Sequence, residues 1–255
     1  MDISSGHEIL KFENASKTYV DDKFRHVRAV ENINLTLGRG EFISLIGPSG
    51  CGKSTMLRLA AGLELPTAGA VYFHGDCVTE PDRRKGFVFQ SYNSFPCLTV
   101  IRNIAFGLDG VPRQERQQKI GKWLKFTGLT DFADAYPKSL SGGMRQRLAL
   151  ARTMAIEPEL LLMDEPFGAL DEKIRENMQT LLLEAVEKTG CSVLFVTHDI
   201  REAILLADRV VLLSARPGRI NKVFEIPLTK PRTRDHLKSS EFMKLYEEIL
   251  DQFPN

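Results

Sequence analysis

The chain has little cysteine. Its four, Cys51, Cys77, Cys97 and Cys191, lie far apart and form no C-x-x-C pair. They read as reduced thiols, as in a cytosolic chain, rather than as disulfides or metal ligands. No apolar run approaches the roughly 18 residues needed to span a bilayer, so any membrane role must come through a partner. Asp2, His7 and Glu8 make the start polar, and no secretory signal is expected. The net charge of +1 makes no electrostatic demand for nucleic acid or an anionic membrane, and no nucleic-acid partner is expected. Internal repeats and low-complexity tracts are missing too. What is present is an ordinary globular composition, 43% hydrophobic and 26% charged. The length of 255 residues suits one large domain, or a core with a subdomain.

The strongest local pattern is Gly47-Pro48-Ser49-Gly50-Cys51-Gly52-Lys53-Ser54-Thr55. It follows the apolar run Phe42–Ile46 and precedes a helical pattern with Met56, Leu59, Ala60 and Leu63 on one face. Strand, glycine loop and helix with G-x-x-x-x-G-K-[ST] spacing predict a phosphate-binding loop. Glycines let backbone N–H groups approach a phosphate chain, and the helix start adds free donors and a positive dipole end. Lys53 would place a charge on the β- and γ-phosphates, and Ser54 a hydroxyl on Mg²⁺. A dinucleotide-binding turn spaces its glycines differently and has no Lys-Ser pair. The expected ligand is a nucleoside triphosphate, taken as ATP with Mg²⁺.

Around this loop the chain alternates. Asn32–Leu37 and Ala70–Gly75 read as strands, with Tyr19 in a polar stretch ahead of them, either an adenine-stacking ring or an ordinary half-exposed tyrosine. Gly86–Gln90 reads as a short buried strand. Ser91 to Leu108 reads as an aromatic loop, Gln114 to Phe132 as a charged helix, and Met144–Ala155 as a second helix. Strands then return at Leu160–Met163, Cys191–His198, Val210–Leu213 and Ile220–Ile226. Between them lie one helix carrying Met178, Leu181, Leu182 and Ala185, and another over Ile200–Ala207. This order predicts an α/β fold with a largely parallel, doubly covered sheet. Four segments are expected: 1–90, the β subdomain and the first part of the core; 91–155, a helical insert; 156–228, the second part of the core; and 229–255, a tail. That tail should be one amphipathic helix (Phe242, Leu245, Tyr246, Ile249, Leu250) after a solvated basic stretch.

Ligands of parallel sheets gather at the carboxyl ends of strands. Asp164 closes one strand and could hold Mg²⁺, while Glu165 beside it could deprotonate an attacking water. Gln90 and His198 end two other strands, within reach of Mg²⁺, the γ-phosphate and that water. The alternatives are a helix cap for the carboxylate pair and a satisfied core histidine. Ser141-Gly142-Gly143 stand at a further helix start, either a simple N-cap or a second anion site that invites a second molecule.

Taken together, these residues resemble an ATP-binding subunit of the ABC transporter superfamily, from about Ile9 to Pro231. The matching motifs are the A-loop aromatic Tyr19, Walker A Gly47–Thr55, the Q-loop Gln90, and the signature Leu140–Arg147. They continue with Walker B Leu160–Asp164 and Glu165, the D-loop Ala169-Leu170-Asp171, and the switch His198. The resemblance implies a RecA-like P-loop core with an antiparallel β subdomain and a helical insert. It implies Glu165, His198 and Gln90 as catalytic residues, and Ser54, Gln90 and Asp164 on Mg²⁺. It also implies two ATP molecules sandwiched in a homodimer or heterodimer, each lying between one chain's Walker A and the other's signature.

Pro166–Asp171, Phe195–Asp199 and Ser214–Ile220 are similar to importers for nitrate, sulfonate, taurine, bicarbonate and related solutes. Such a subunit would sit on the cytoplasmic face of the inner membrane. Its partners would be two permease subunits docking near Ser91–Thr99 and, indirectly, an extracytoplasmic solute-binding protein. Two positions depart from the pattern: Met144 where many members have Gln, and Phe95-Pro96-Cys97 where this subgroup often has Leu-Pro-Trp. Two other readings compete. A soluble member acting on nucleic acid or protein assemblies would often carry two ATP domains or long coiled coils, and a phosphate-loop kinase would leave the signature and His198 unexplained.

Overall fold

The structure, a computed structural model, describes residues 8–90 and 94–253. Along the chain run β1 (Glu8–Val20), β2 (His26–Gly38), β3 (Phe42–Ile46), α1 (Lys53–Ala61), β4 (Ala68–Phe73), β5 (Asp76–Cys77) and β6 (Lys85–Val88). Next come α2 (Val100–Ala105), α3 (Arg113–Phe126), α4 (Gly142–Ala155), β7 (Leu160–Asp164) and α5 (Glu172–Thr189). The chain ends with β8 (Ser192–Val196), α6 (Ile200–Leu206), β9 (Arg209–Leu213), β10 (Ile220–Glu225) and α7 (Ser240–Asp251). It packs as two compact units. The first takes the chain up to Asp82, Leu162–Glu165, and everything from Ser192 on; the second takes Arg83–Leu161 and Pro166–Cys191.

In the first unit, β2, β1, β4 and β5 form an antiparallel sheet in that order, with Leu10 opposite both Leu37 and Phe73. The alternation expected over Asn32–Leu37 is there: Ile33, Leu35 and Leu37 are buried while Asn32 and Asn34 are exposed. Tyr19 lies within β1 rather than ahead of the sheet, because β1 and β2 are 13-residue strands whose bulges bend them. The second sheet of this unit runs β10-β9-β3-β8-β7. Its centre, β3, pairs in parallel with β8 (Leu45 opposite Val196) and with β9 (Leu45 opposite Val211). All five residues of β3 are buried, as a strand covered on both faces requires.

Three further expectations for this unit change. Leu63 lies past the end of α1 and is exposed, because Gly62 takes a left-handed conformation and caps the helix before it. The basic stretch of the tail is not all solvated. Arg232 is buried, and its guanidinium donates to the carbonyls of Ala207, Ile226 and Leu228 and pairs with Asp208. Finally, α7 buries Phe242 and Ile249 but leaves Leu250 exposed, so its apolar face is narrower than the sequence suggested.

The second unit is mostly helical, and it includes Pro166–Cys191, which the sequence placed in the second part of the core. The segment read as an aromatic loop contains α2 and a 3-10 turn over Phe106–Leu108. Thr99 caps α2 through its side chain, and Asn103 is fully buried beneath the loop. The Asn103 amide donates to the carbonyls of Phe95, Leu98 and Thr99 and accepts from the N–H of Phe95. Ser91 and Tyr92, part of the expected docking loop, lie outside the described residues. Helix α3 ends at Phe126 rather than Phe132, and Trp123 fills the space beneath it. Helix α4 begins two residues earlier than expected, so the signature glycines form its first turn.

Candidate functional site

The loop from Gly47 to Thr55 joins the end of β3 to the start of α1. Within it Pro48 and Ser54 are half-buried, Ser49 and Gly50 are exposed, and Gly47, Cys51, Lys53 and Thr55 are buried. Gly52 is the cap residue of α1. The Lys53 ammonium donates to the carbonyls of Gly47 at 2.7 Å and Pro48 at 3.1 Å, which holds the charge inside the curve of the loop. Behind the loop stands a residue the sequence reading treated only as a turn. A Cβ on Gly218 would meet the Cys51 carbonyl oxygen at 1.9 Å, so only glycine lets this turn back the loop. Its N–H donates to Ala29 at 2.9 Å, fastening the turn to β2. The Pro217-Gly218 pair was the available signal.

Three strand ends converge on the start of α1. The Ser54 hydroxyl donates to Asp164 Oδ1 at 2.9 Å, bringing the end of β7 to the phosphate loop. Burial pushes the Asp164 carboxyl above the ordinary carboxylate range; the bond from Ser54 pulls it down, and the neighbouring Glu165 pushes it up. Glu165 sits at φ +42°, a left-handed conformation costly for any residue but glycine, and its N–H donates to Val196. His198, two residues past β8, brings Nδ1 to 3.2 Å from Glu165 Oε2. The Glu165 side chain is 24% exposed and that of His198 is 65% exposed. A half-buried carboxylate oriented by an imidazole at an open edge can take a proton from a water. Ser54 and Asp164 are hard oxygen donors side by side, the chemistry that suits Mg²⁺. Among the described residues no larger His, Cys, Asp and Glu cluster could hold a metal, so most ligands of such an ion would come from phosphate and water.

Tyr19 is half-buried, and its hydroxyl donates to Glu64 and lies 3.4 Å from Thr55 Oγ1, tying β1 to α1. Burial, then the bond to Glu64, raises its pKa above the ordinary tyrosine value. The Lys17 ammonium lies 5.3 Å from its ring centre.

The remaining candidates belong to the second unit. Gln90 is exposed just past β6. Ser141 caps α4 by accepting from the Met144 N–H at 3.3 Å. A Cβ on Gly143 would meet Ile174 Cγ2 at 2.6 Å, so that glycine lets α4 pack closely on α5. Gly142 is half-buried beside it. Asp171 caps α5, accepting from the Ile174 N–H at 2.9 Å. Here the capping roles weighed from the sequence for Ser141 are present in the geometry. The sequence reading missed Asn103, for which an isolated asparagine in an apolar run offered no signal.

Residues 30–168 match the family model described as ABC transporter. An uncharacterized ABC transporter ATP-binding protein of Methanocaldococcus jannaschii is 47% identical over 94% of this chain and 91% of its own length. An aliphatic sulfonates import ATP-binding protein, SsuB of Bacillus cereus, is 43% identical over 92% of each chain. Among solved structures, a dimeric ATP-binding cassette in a post-hydrolysis state bound to ADP and Pi superposes with a TM-score of 0.76 at 35% identity. That match covers 87% of this chain and 100% of the other. A second neighbour, cbiO1 of Clostridium perfringens, part of the ABC transporter complex cbiONQ, gives 0.78 at 26% identity over 96% of this chain and 97% of the other. A phosphate loop whose lysine, serine and facing carboxylate are already in place thus sits in a chain that belongs to the ABC transporter family, among its ATP-binding proteins.

Proposed function

We propose that this chain is the ATP-hydrolysing subunit of an importer for a small anionic solute, of which an aliphatic sulfonate is the favoured example. The observation that carries the chemistry is the convergence of Lys53, Ser54, Asp164, Glu165 and His198 at the ends of β3, β7 and β8. The importer assignment is supported by relatives such as the sulfonate import protein above.

In this reading Lys53 exchanges the Gly47 and Pro48 carbonyls for the β- and γ-phosphates, with N–H groups of Gly50 to Thr55 around them. Ser54 and Asp164 hold the Mg²⁺ that accompanies the nucleotide; when bound, that ion neutralises phosphate charge. Glu165 accepts the proton of the attacking water, and His198 keeps the carboxylate turned toward it. Gln90 contacts the same water and the ion, and Tyr19 stacks on the adenine ring. Ser141, Gly142 and Gly143 meet the nucleotide of a second ATP-binding subunit, with Asp171 near that junction. Two permease subunits dock near Ser91–Thr99, on the cytoplasmic face of the membrane, and a solute-binding protein delivers cargo from the far side. Among the described residues no helix is long and apolar enough to cross a membrane, so the permeases would supply the path.

The test is to recover the chain with its permease from membranes, reconstitute both in vesicles, and measure ATP turnover. The expected result is stimulation by an alkanesulfonate together with its binding protein. Turnover indifferent to any small anion, but stimulated by nucleic acid, would replace this reading with that of a soluble family member.

A further inference from the structure

His198, past the end of β8, is held by the turn that follows it. Its neighbour Asp199 caps α6, accepting from the N–H groups of Arg201 at 2.8 Å and Glu202 at 3.2 Å. The Asp199 N–H donates to the Thr197 hydroxyl at 3.0 Å. This capped turn therefore sets where the imidazole stands. Arg201 follows within the same turn, and its guanidinium lies 5.3 Å from the ring centre of Tyr246 on α7. A cavity of about 380 Å³, lined by His198, Asp199, Ile200, Arg201 and Tyr246, opens beside them.

We propose that Tyr246 is a positioning residue for the hydrolytic site, clamping the Arg201 side chain against one wall of this cavity so that it cannot swing across and claim the Asp199 carboxylate. The inference rests on the reading of Glu165 and His198 given above. A free guanidinium beside a carboxylate pairs with it, often through two hydrogen bonds. The Asp199 carboxylate has other work, since it accepts the first backbone donors of α6. If Arg201 drew it away, the turn would lose its cap and His198 its fixed distance from Glu165. The aromatic face holds the arm elsewhere through the ring's negative surface. Its own support is firm: α7 is anchored by buried Phe242 and Ile249 and by the 2.8 Å pair of Lys222 with Glu248. At the other end of α6, Arg232 from the same tail donates to the Ala207 carbonyl. The tail thus fastens both ends of α6, the short helix that begins two residues after His198.

The experiment uses the full chain and steady-state ATP turnover. Tyr246→Leu should lower kcat about two- to fivefold, the equivalent of a lost cation–π contact, with KM for ATP unchanged. Tyr246→Phe keeps the ring and should keep the parent kcat. Arg201→Gln added to Tyr246→Leu should restore kcat, because no free cation remains to take Asp199. A role in packing alone would give no such rescue. Unchanged kcat in Tyr246→Leu, equal loss in Tyr246→Phe, or failure of the rescue would each overturn the proposal. Should Tyr246→Leu not fold, Tyr246→Met carries the same expectations. Glu165→Gln is measured in parallel. If it leaves turnover intact, the underlying site reading fails; if it abolishes turnover while Tyr246→Leu has no effect, only this inference fails.

Discussion

Ser54 Oγ and Asp164 Oδ1 lie 2.9 Å apart although 110 residues separate them. The bond joins the first turn of α1 to the last residue of β7, and it satisfies a carboxylate that is otherwise poorly solvated. Because burial raises the Asp164 pKa above its ordinary 3.8, the folded chain holds this proton where the unfolded chain has released it. Stability therefore falls as pH climbs from 3.8 through the raised value, and the cost persists at neutral pH. Asp164→Asn should raise the melting temperature of nucleotide-free protein at neutral pH, by about 2–4 °C per kcal/mol recovered. The same variant should gain less from MgATP than the parent does. Scanning calorimetry with and without MgATP checks both halves, and an unaltered MgATP increment would remove Asp164 from the ion's site.

Lys53 concerns binding. Its ammonium already rests on two loop carbonyls, so little reordering is needed when phosphate replaces them. Lys53→Ala should raise the Kd for MgATP about 10- to 150-fold, corresponding to ~1.5–3 kcal/mol for a charge-assisted contact. Fluorescence titration with a labelled nucleotide measures it. Equal affinity in variant and parent would refute the phosphate-loop assignment.

Glu165 concerns the chemical step. Gln at this position keeps size and hydrogen-bonding capacity but cannot accept the proton of water. Glu165→Gln should reduce turnover roughly 10²–10⁴-fold while ATP still binds, and the ATP-bound dimer should accumulate on a sizing column. Full turnover would mean that the water is activated elsewhere, and His198 would be the first residue to test.

Much of this was legible beforehand because the responsible signals are local. Strand β3, its loop and α1 follow one another without interruption, and an apolar run closing on Asp164 marks its own strand end. Contacts made across the fold were harder to read. Arg232 looks like any basic tail residue until the free carbonyls near the end of α6 appear beside it. Gly218 looks like a turn glycine until the Cys51 carbonyl arrives from 167 positions earlier in the chain. The Ser91–Leu108 stretch hid α2, since its helix is only six residues long and too short to show a period. Its stability comes from the Thr99 cap and the packing around Asn103, neither of which has a sequence pattern.

That hidden organisation changes what Phe95 can be expected to do. Its ring centre lies 4.3 Å from that of Phe106, and the Arg152 guanidinium lies 5.0 Å from it on α4. Its backbone is held from below by Asn103. Phe95 is thus part of the packing of the second unit, and Phe106, 53% exposed, is the aromatic left open beside it. Phe95→Ala should lower stability by about 1–3 kcal/mol, combining lost apolar burial with a lost aromatic pair. Phe106→Ala loses the same pair but less burial, so its melting temperature should fall less. If a permease helix docks on this face, covering Phe106 contributes about 1.5–3 kcal/mol, and Phe106→Ala should weaken recovery of the permease about 10- to 150-fold. ATP binding should survive in both variants. Co-purification with the permease, thermal melts and solute uptake in vesicles separate the two effects. Normal recovery and uptake with Phe106→Ala would place the docking surface elsewhere on the chain. Equal melting of Phe95→Ala and the parent would show that the ring pair adds nothing to the packing of this unit.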